Sequence, residues 1–312
     1  FLLILIVLAK TLLSLYSFRW DIFDVGSYSS VVFNYSQGLN FNSFLQIPAT
    51  ADHFTPSLAL FAPLYWIEAT VHWLTFAKAL SYLSLPLVVY YWLADKTESN
   101  FKFVLSCLFG VWMLMLYKPA VSSRFFEFSP SSLAPPFIIL SFLLMEKRRW
   151  FLFSLTMIFI IGLKEHMGVV LIGFGLFGIA QRKFLSGFIL AGIGLLVTYL
   201  MIFQVMPYFR DYQAFSNTQI APFQDLPGKA IYLVKLLWPL CFLPLIYWRY
   251  GVLAAPAIGV NLLSGRPEMY STGFHYDDVS STLLLMTCSL ILIEKHAVVG
   301  NWFGEKWVKG VF

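Results

Sequence analysis

Five stretches of the chain carry acids, imidazoles and cations of the kinds that move protons and bind anions. They are Asp24 in Phe23-Asp24-Val25-Gly26-Ser27-Tyr28, Asp52-His53 ahead of Phe54-Thr55-Pro56, Glu127 in Arg124-Phe125-Phe126-Glu127-Phe128-Ser129-Pro130, Lys164-Glu165-His166, and His275-Tyr276 followed by Asp277-Asp278. A carboxylate held in place, as Asp24 would be near a membrane surface, can act as general base on an acceptor hydroxyl, an effect of about 10²–10⁴-fold in rate. The spacing leaves a second reading open: Asp24 is a solvated acid or the cap of a helix over 28–35. Gly26, two residues on, suits a tight turn or a close backbone approach. Lys164 and Glu165 interrupt the stretch 150–180, which is otherwise almost wholly apolar. Ionisable groups near a bilayer pair with one another or face a cavity, so they mark a polar site or a hairpin tip; the alternative is that Glu165 serves only as the counter-ion of Lys164. His275 and Tyr276 can donate hydrogen bonds to a phosphate, or stand in a solvated loop. Asp24, Asp52 and His166 are the candidate ligands for a divalent metal, and no compact ligand spacing selects a set.

Two further pairs speak to where helices begin. Thr55-Pro56 and Ser129-Pro130 combine a favoured N-cap with a proline at the first helical position, where its missing N–H costs nothing. Each is expected to start a helix, whose free N–H groups can hold an anion or serve the helix alone.

The elements that must position these residues are almost entirely apolar. Of 312 residues, 59% are hydrophobic and 12% charged, against about 25% charged in soluble domains, so a water-soluble globule is excluded. Apolar tracts fall near 2–18, 77–94, 103–117, 133–145, 150–163, 167–180, 184–206, 230–248, 252–263 and 279–293. The alternation of an outer-membrane barrel is missing, and the expected fold is an all-α integral membrane protein, a polytopic bundle of about ten crossings. Several tracts are shorter than the ~20 residues of a perpendicular span. The segment 54–73 is apolar but holds Glu68 and His72, and charge decides its place. If it does not cross, eleven loop Lys and Arg, among them Lys96, Arg148 and Arg182, lie on the cytoplasmic side. Seven (Arg19, Lys118, Arg124, Lys164, Arg210, Lys229 and Arg266) then lie outside. A crossing would invert that tally against the positive-inside rule. The segment is therefore expected to be juxtamembrane or re-entrant, within a first external loop over 19–76. A later external loop is expected at 206–228 and a cytoplasmic tail at 295–312, all in one transmembrane domain. All five polar stretches then meet on the extracytoplasmic face.

No basic cluster points to nucleic acid, and the excess of +5 reports orientation. Cys107, Cys241 and Cys288 lie in apolar tracts without metal-ligand spacing and are expected as small core residues. Gly173-Phe-Gly-Leu-Phe-Gly178 matches a dinucleotide fingerprint in letters only. It lies in an apolar span with no strand before it, and reads as close helix packing. The chain opens at Phe1 inside an apolar run and is expected to continue upstream.

The order FDVGSY, DHFTP, Pro63-Leu64-Tyr65, FEFSP with Pro135-Pro136-Phe137, Lys164-Glu165, Asn261-Leu262-Leu263-Ser264 and His275-Tyr276 resembles one family. It is a family of predicted prokaryotic membrane proteins, defined as a domain of unknown function and placed among the GT-C glycosyltransferases. The resemblance spans 24–276 and implies a GT-C-like bundle with juxtamembrane helices and an essential acid in its first external loop. It also implies a polyprenyl-phosphate-linked sugar as donor, used at the outer face of the cytoplasmic membrane. On that resemblance Asp24 and Glu127 are the candidate catalytic residues, Asp24 as base and Glu127 shaping the pocket. His53, Lys164, Glu165, His275 and Tyr276 are the candidates for holding the donor and its phosphate. The chain departs from the family pattern in two places: Lys164-Glu165-His166 replaces Lys-Glu-Asp, and Ser129 stands where a His often precedes the proline. The expected partners are membrane lipid, the lipid-linked donor and an acceptor of unspecified class. The runner-up is a lipid-linked sugar flippase or small-solute transporter, for which broken helices near Pro135-Pro136 and Pro239 to Pro244 would be suited.

Overall fold

The computed structural model describes residues 23–97, 99–210 and 220–303, together with Ala9 and Leu13. Among them the chain is helical throughout, without a β-strand; two isolated bridges join Asn42 to Ile47 and Ile220 to Ser264. The helices in order are α1 (Phe23–Ser36), α2 (Ala49–Asp52), a 3-10 turn Pro56–Phe61 leading into α3 (Ala62–Ile67), α4 (His72–Trp92), α5 (Ser99–Val111) and α6 (Lys118–Phe125). Then come α7 (Ala134–Glu146), α8 (Trp150–Ile161), α9 (Val169–Ala180), α10 (Phe184–Leu200) and α11 (Met206–Phe209). The last are α12 (Leu226–Leu237), α13 (Leu243–Ile246), α14 (Trp248–Gly251), α15 (Ala255–Leu263) and α16 (Asp278–Phe303).

Among the described residues, three helical segments, His72–Trp92, Phe184–Phe209 and His275–Lys295, are long and apolar enough to cross a membrane. A fourth arises if Asn100–Leu116 and Lys118–Phe125, bent by 64°, form one broken span. Pro130–Glu146, Trp150–Ile161 and Val169–Ala180 are apolar but shorter. The tract 2–18 lies almost entirely outside the described residues. The tract 230–248 is not one helix: α12 stops at Leu237, and Cys241 and Phe242 take left-handed conformations at φ 51° and 53° before α13 and α14 resume. Pro239 and Pro244 explain the break, since neither can donate a backbone N–H to a continuing helix.

The segment 54–73 holds the 12-residue helix Pro56–Ile67, about 18 Å at 1.5 Å per residue and too short for a ~30 Å hydrocarbon core. Leu60, Trp66 and Ile67 on it are exposed. Helices do begin at Pro56 and Pro130, as the sequence led us to expect. Neither Thr55 nor Ser129 caps with its side chain, however, and each opening turn is 3-10. Ser129 is fully buried and its hydroxyl lies 3.0 Å from that of Ser131, which diverts it from the cap.

Two packing features set the frame. The second half of α4 runs parallel to α7: the Ser81 hydroxyl, midway along α4, donates to the Ser132 carbonyl just ahead of α7, and the Trp92 indole donates to Glu146 at their ends. Beside those ends, Lys96 pairs with Glu146 at 2.7 Å and Lys147 with Asp95 at 2.8 Å. The second feature is the hairpin of α9 and α10. A Cβ on Gly175 would stand 2.5 Å from the Ala191 nitrogen, and one on Gly194 2.7 Å from the Gly168 carbonyl. Small residues allow such backbone approach between apolar helices, so the glycine run serves packing. The other face of α10 presents Leu185, Phe188 and Leu195 outward. Of the three cysteines only Cys288 is buried; Cys107 and Cys241 lie on exposed apolar faces, not in the core.

Candidate functional site

The ends of several elements converge on a cavity of about 810 Å³. Its wall includes Asp24 from the first turn of α1, Asp52 and His53 from the end of α2, Lys164 from the α8–α9 loop, and His275-Tyr276 from the 3-10 turn that precedes α16. A smaller cavity of about 290 Å³ adjoins it and shares Asp52, His53, Lys164 and Tyr276. The smaller one is more apolar, with Ile202, Phe203, Met206, Val260 and Leu263 around Glu165 and His166. Four of the five polar stretches read from the sequence therefore meet at one place.

Charge in this site is unevenly compensated. His53 Nδ1 lies 3.0 Å from Glu165 Oε1, and the Phe54 amide donates to Glu165 Oε2 at 3.4 Å. Burial acts to raise the Glu165 carboxyl, yet His53, then His166 and Lys164, hold it well below the usual carboxylate range. For His53 burial acts downward, and Glu165 nevertheless leaves the imidazole raised. Glu165 is thus in direct contact with His53, while Lys164 acts on it only at longer range. Lys164 is only 4% exposed. Its Nζ lies 3.4 Å from His275 Nε2 and 5.6 Å from the centre of the Tyr276 ring. Among the described residues it has no carboxylate within 4.0 Å. His275 Nδ1 is buried without a hydrogen-bond partner among the described residues. Burial pushes the His166 imidazole down to about 4, so it is neutral at physiological pH.

Asp24 sits inside α1, one turn before Tyr28, and not in a loop or at a turn; Gly26 is likewise helical. Burial raises the Asp24 carboxyl, with Lys164 and then His53 acting against it. A carboxylate with a raised pKa is a stronger proton acceptor than a solvated one. Tyr28 lines the same cavity, and its ring stacks on His53 at 6.3 Å.

Glu127 does not line either cavity. It is 5% exposed, and its Oε2 accepts a hydrogen bond of 3.0 Å from the Val25 amide in the first turn of α1. Asp277 and Asp278 face the interior: Asp278 binds Tyr82 and Ser131, and Asp277 accepts from Tyr232 at 2.6 Å and Ser280 at 2.8 Å. No three His, Cys, Asp or Glu side chains come together as metal ligands among the described residues. Asp24, Asp52 and His166 are therefore not gathered as a ligand set among the described residues.

Two cations were missed as site residues. Arg210, directly after α11, and Arg266, after α15, line both cavities. The Arg210 Nε donates to the Ala51 carbonyl at 2.7 Å, which ties the end of the α10–α11 segment to α2. The signal was present, since both follow apolar tracts and both belong to the seven cations assigned to the outer face.

No curated protein and no solved structure matches the chain. The family described as predicted membrane protein DUF2079 matches residues 14–309, nearly the whole length and every residue of the site. A helical chain with several apolar, membrane-length segments and a polar cavity at their ends, matched over that range, belongs to this family of predicted membrane proteins.

Proposed function

We propose that the protein is a membrane glycosyltransferase of the GT-C type, with about ten crossings and juxtamembrane helices in its first external loop. It transfers a sugar from a polyprenyl-phosphate-linked donor to an acceptor on the extracytoplasmic face of a prokaryotic cytoplasmic membrane. The observation that carries this reading is Lys164, a buried cation with no carboxylate within 4.0 Å among the described residues, on the wall shared by two cavities. A buried charge is costly unless paired, and a donor phosphate between the cavities would supply the missing anion. Arg210 and Arg266 stand on the same shared wall. The larger, polar cavity then takes sugar and acceptor, and the smaller, apolar one the first isoprene units.

In the transfer, the acceptor oxygen attacks the anomeric carbon and its proton passes to Asp24. The bond from that carbon to the phosphate oxygen breaks, and the electron pair leaves with the phosphate, facing Lys164 and the arginines. The helix Pro56–Ile67, too short to cross, supports placing Asp24, His53, Lys164 and His275 on one side of the membrane. Lipid mass spectrometry of the purified protein tests the donor class. A co-purifying polyprenyl-phosphate sugar is expected, and release of free polyprenyl phosphate with added acceptor separates transfer from flipping. A lipid that is only moved across vesicles, with no cleavage, would establish the flippase instead.

A further inference from the structure

We infer that Glu127 is a positioning residue for Asp24, acting through the backbone of α1 and not through contact with substrate. This rests on the reading of Asp24 as the proton acceptor.

The first turn of a helix carries amide groups without intrahelical acceptors. In α1 one of these, the Val25 N–H, belongs to the residue next to Asp24, and its acceptor comes from 102 residues away, the Glu127 carboxylate at 3.0 Å. A buried carboxylate on a helix N-terminus gains from the hydrogen bond and from the positive end of the helix dipole. It thereby fixes where the helix begins and how it is rotated. Rotation matters because Asp24 lines the cavity while its neighbour Val25 is wholly buried. At 3.6 residues per turn, a slip of one residue would turn the side chain by about 100° and take the carboxyl off the cavity wall.

The same pair of segments is joined a second time, one turn further on. The Tyr28 ring packs edge-on against Phe128 at 5.9 Å, so adjacent residues, Glu127 and Phe128, hold α1 at two successive turns. The segment that carries them is itself anchored. Lys78 on α4 donates to the carbonyls of Ser123 at 3.1 Å, Phe126 at 2.7 Å and Glu127 at 3.0 Å. The cation thus clamps the turn that leaves α6. A continuous path runs from a membrane-length helix through Lys78, the Glu127 backbone, the Glu127 carboxylate and the Val25 amide to the residue beside Asp24. The bond itself needs an acceptor oxygen at the right reach, and Gln supplies one where the shorter Asp does not.

The test compares Glu127→Gln, Glu127→Asp and Glu127→Ala with the unaltered protein in detergent, following donor hydrolysis to free sugar and hydrogen exchange at the Val25 amide. Glu127→Gln is expected to keep turnover within about threefold. Glu127→Asp and Glu127→Ala are expected to lower kcat by roughly 10-fold or more with the donor KM unchanged, and to speed exchange at Val25. If Glu127→Ala does not fold, the contrast between Gln and Asp carries the decision alone. Loss of turnover in Glu127→Gln as deep as in Asp24→Asn would overturn the inference, because Glu127 would then be handling a proton. Unchanged kcat in Glu127→Asp would overturn it as well. Failure of the underlying reading shows separately: Asp24→Asn would retain turnover, whatever Val25 exchange reports.

Discussion

Two buried lysines, Lys78 and Lys164, stand in contrasting surroundings. Lys78 is 2% exposed and directs its ammonium at three backbone carbonyls within 3.1 Å. Lys164 is comparably buried, but it has one long contact to an imidazole and the face of a tyrosine ring. An ammonium has three donors; at Lys78 the fold supplies an acceptor for each, and at Lys164 it does not. The first lysine belongs to the scaffold, and the second faces a cavity that can admit an anion. Burial alone does not separate the two lysines; the inventory of acceptors around each does.

The comparison breaks most readily at Lys78. Its replacement by Met strands three buried carbonyls at about 1 kcal/mol each, so Lys78→Met is expected to lose ~3 kcal/mol or more of stability. A melting temperature within a degree or two of the parent would remove the scaffold role. The next largest effect concerns the acid opposite Lys164. Asp24→Asn keeps the size of the side chain and one acceptor oxygen, but it cannot accept a proton. Donor turnover should drop at least ~10²-fold at unchanged monodispersity and donor affinity, and near-normal turnover would move the base to another acid.

Lys164→Met should weaken donor binding by roughly 10-fold or more, the worth of one charge-assisted hydrogen bond, while shifting the melting temperature far less than Lys78→Met. Adding Glu165→Gln should not restore affinity, because the Glu165 partner is His53. A double variant with full affinity would return the pair to a structural role. The smallest effect is on pH. Burial raises the Asp24 carboxyl and the Lys164 charge partly lowers it, so turnover fades as pH falls through a value above the ordinary aspartate range. Removing the Lys164 charge disfavours the carboxylate, and the acidic limb of the pH profile should move upward. A shift downward would mean that the two groups do not share a field.

The gathering of the polar stretches was legible in the sequence because it follows from counting. Under the sidedness rule for cations, the topology that keeps 54–73 from crossing led to the expectation that Asp24, His53, Lys164 and His275 lie together, and all four line the larger cavity. Their pairing was not legible. Lys164 and Glu165 are neighbours in the chain, yet consecutive side chains in a turn diverge, and the Glu165 partner arrives from 112 residues away. Glu127 read as a pocket acid because nothing local reveals that its carboxylate reaches a helix start 102 residues earlier. Arg210 and Arg266 were counted for topology, but recognising them as cavity residues required knowing that α11 and α15 end beside α2. The glycine run was read correctly since it depends only on residue size within an apolar helix, whereas the break at Cys241-Phe242 depends on how two prolines are accommodated.

One irregularity controls where Arg210 lands. Between α10 and α11 the residues Met201–Val205 form a π-helical turn. Such a turn amounts to a single added residue in an α-helix, which advances everything after it by about a quarter of a revolution. The glycine-packed half of the helix lies before it, and Tyr208, Phe209 and Arg210 at the cavity lie after it. The two halves can therefore be tuned separately in evolution: a one-residue insertion or deletion in this turn would re-aim the distal cation and its aromatic neighbours and leave the interlocked glycines in register. Length variation at 201–205 is thus a route by which relatives of this chain could change what their cavity accepts without redesigning the membrane-embedded body.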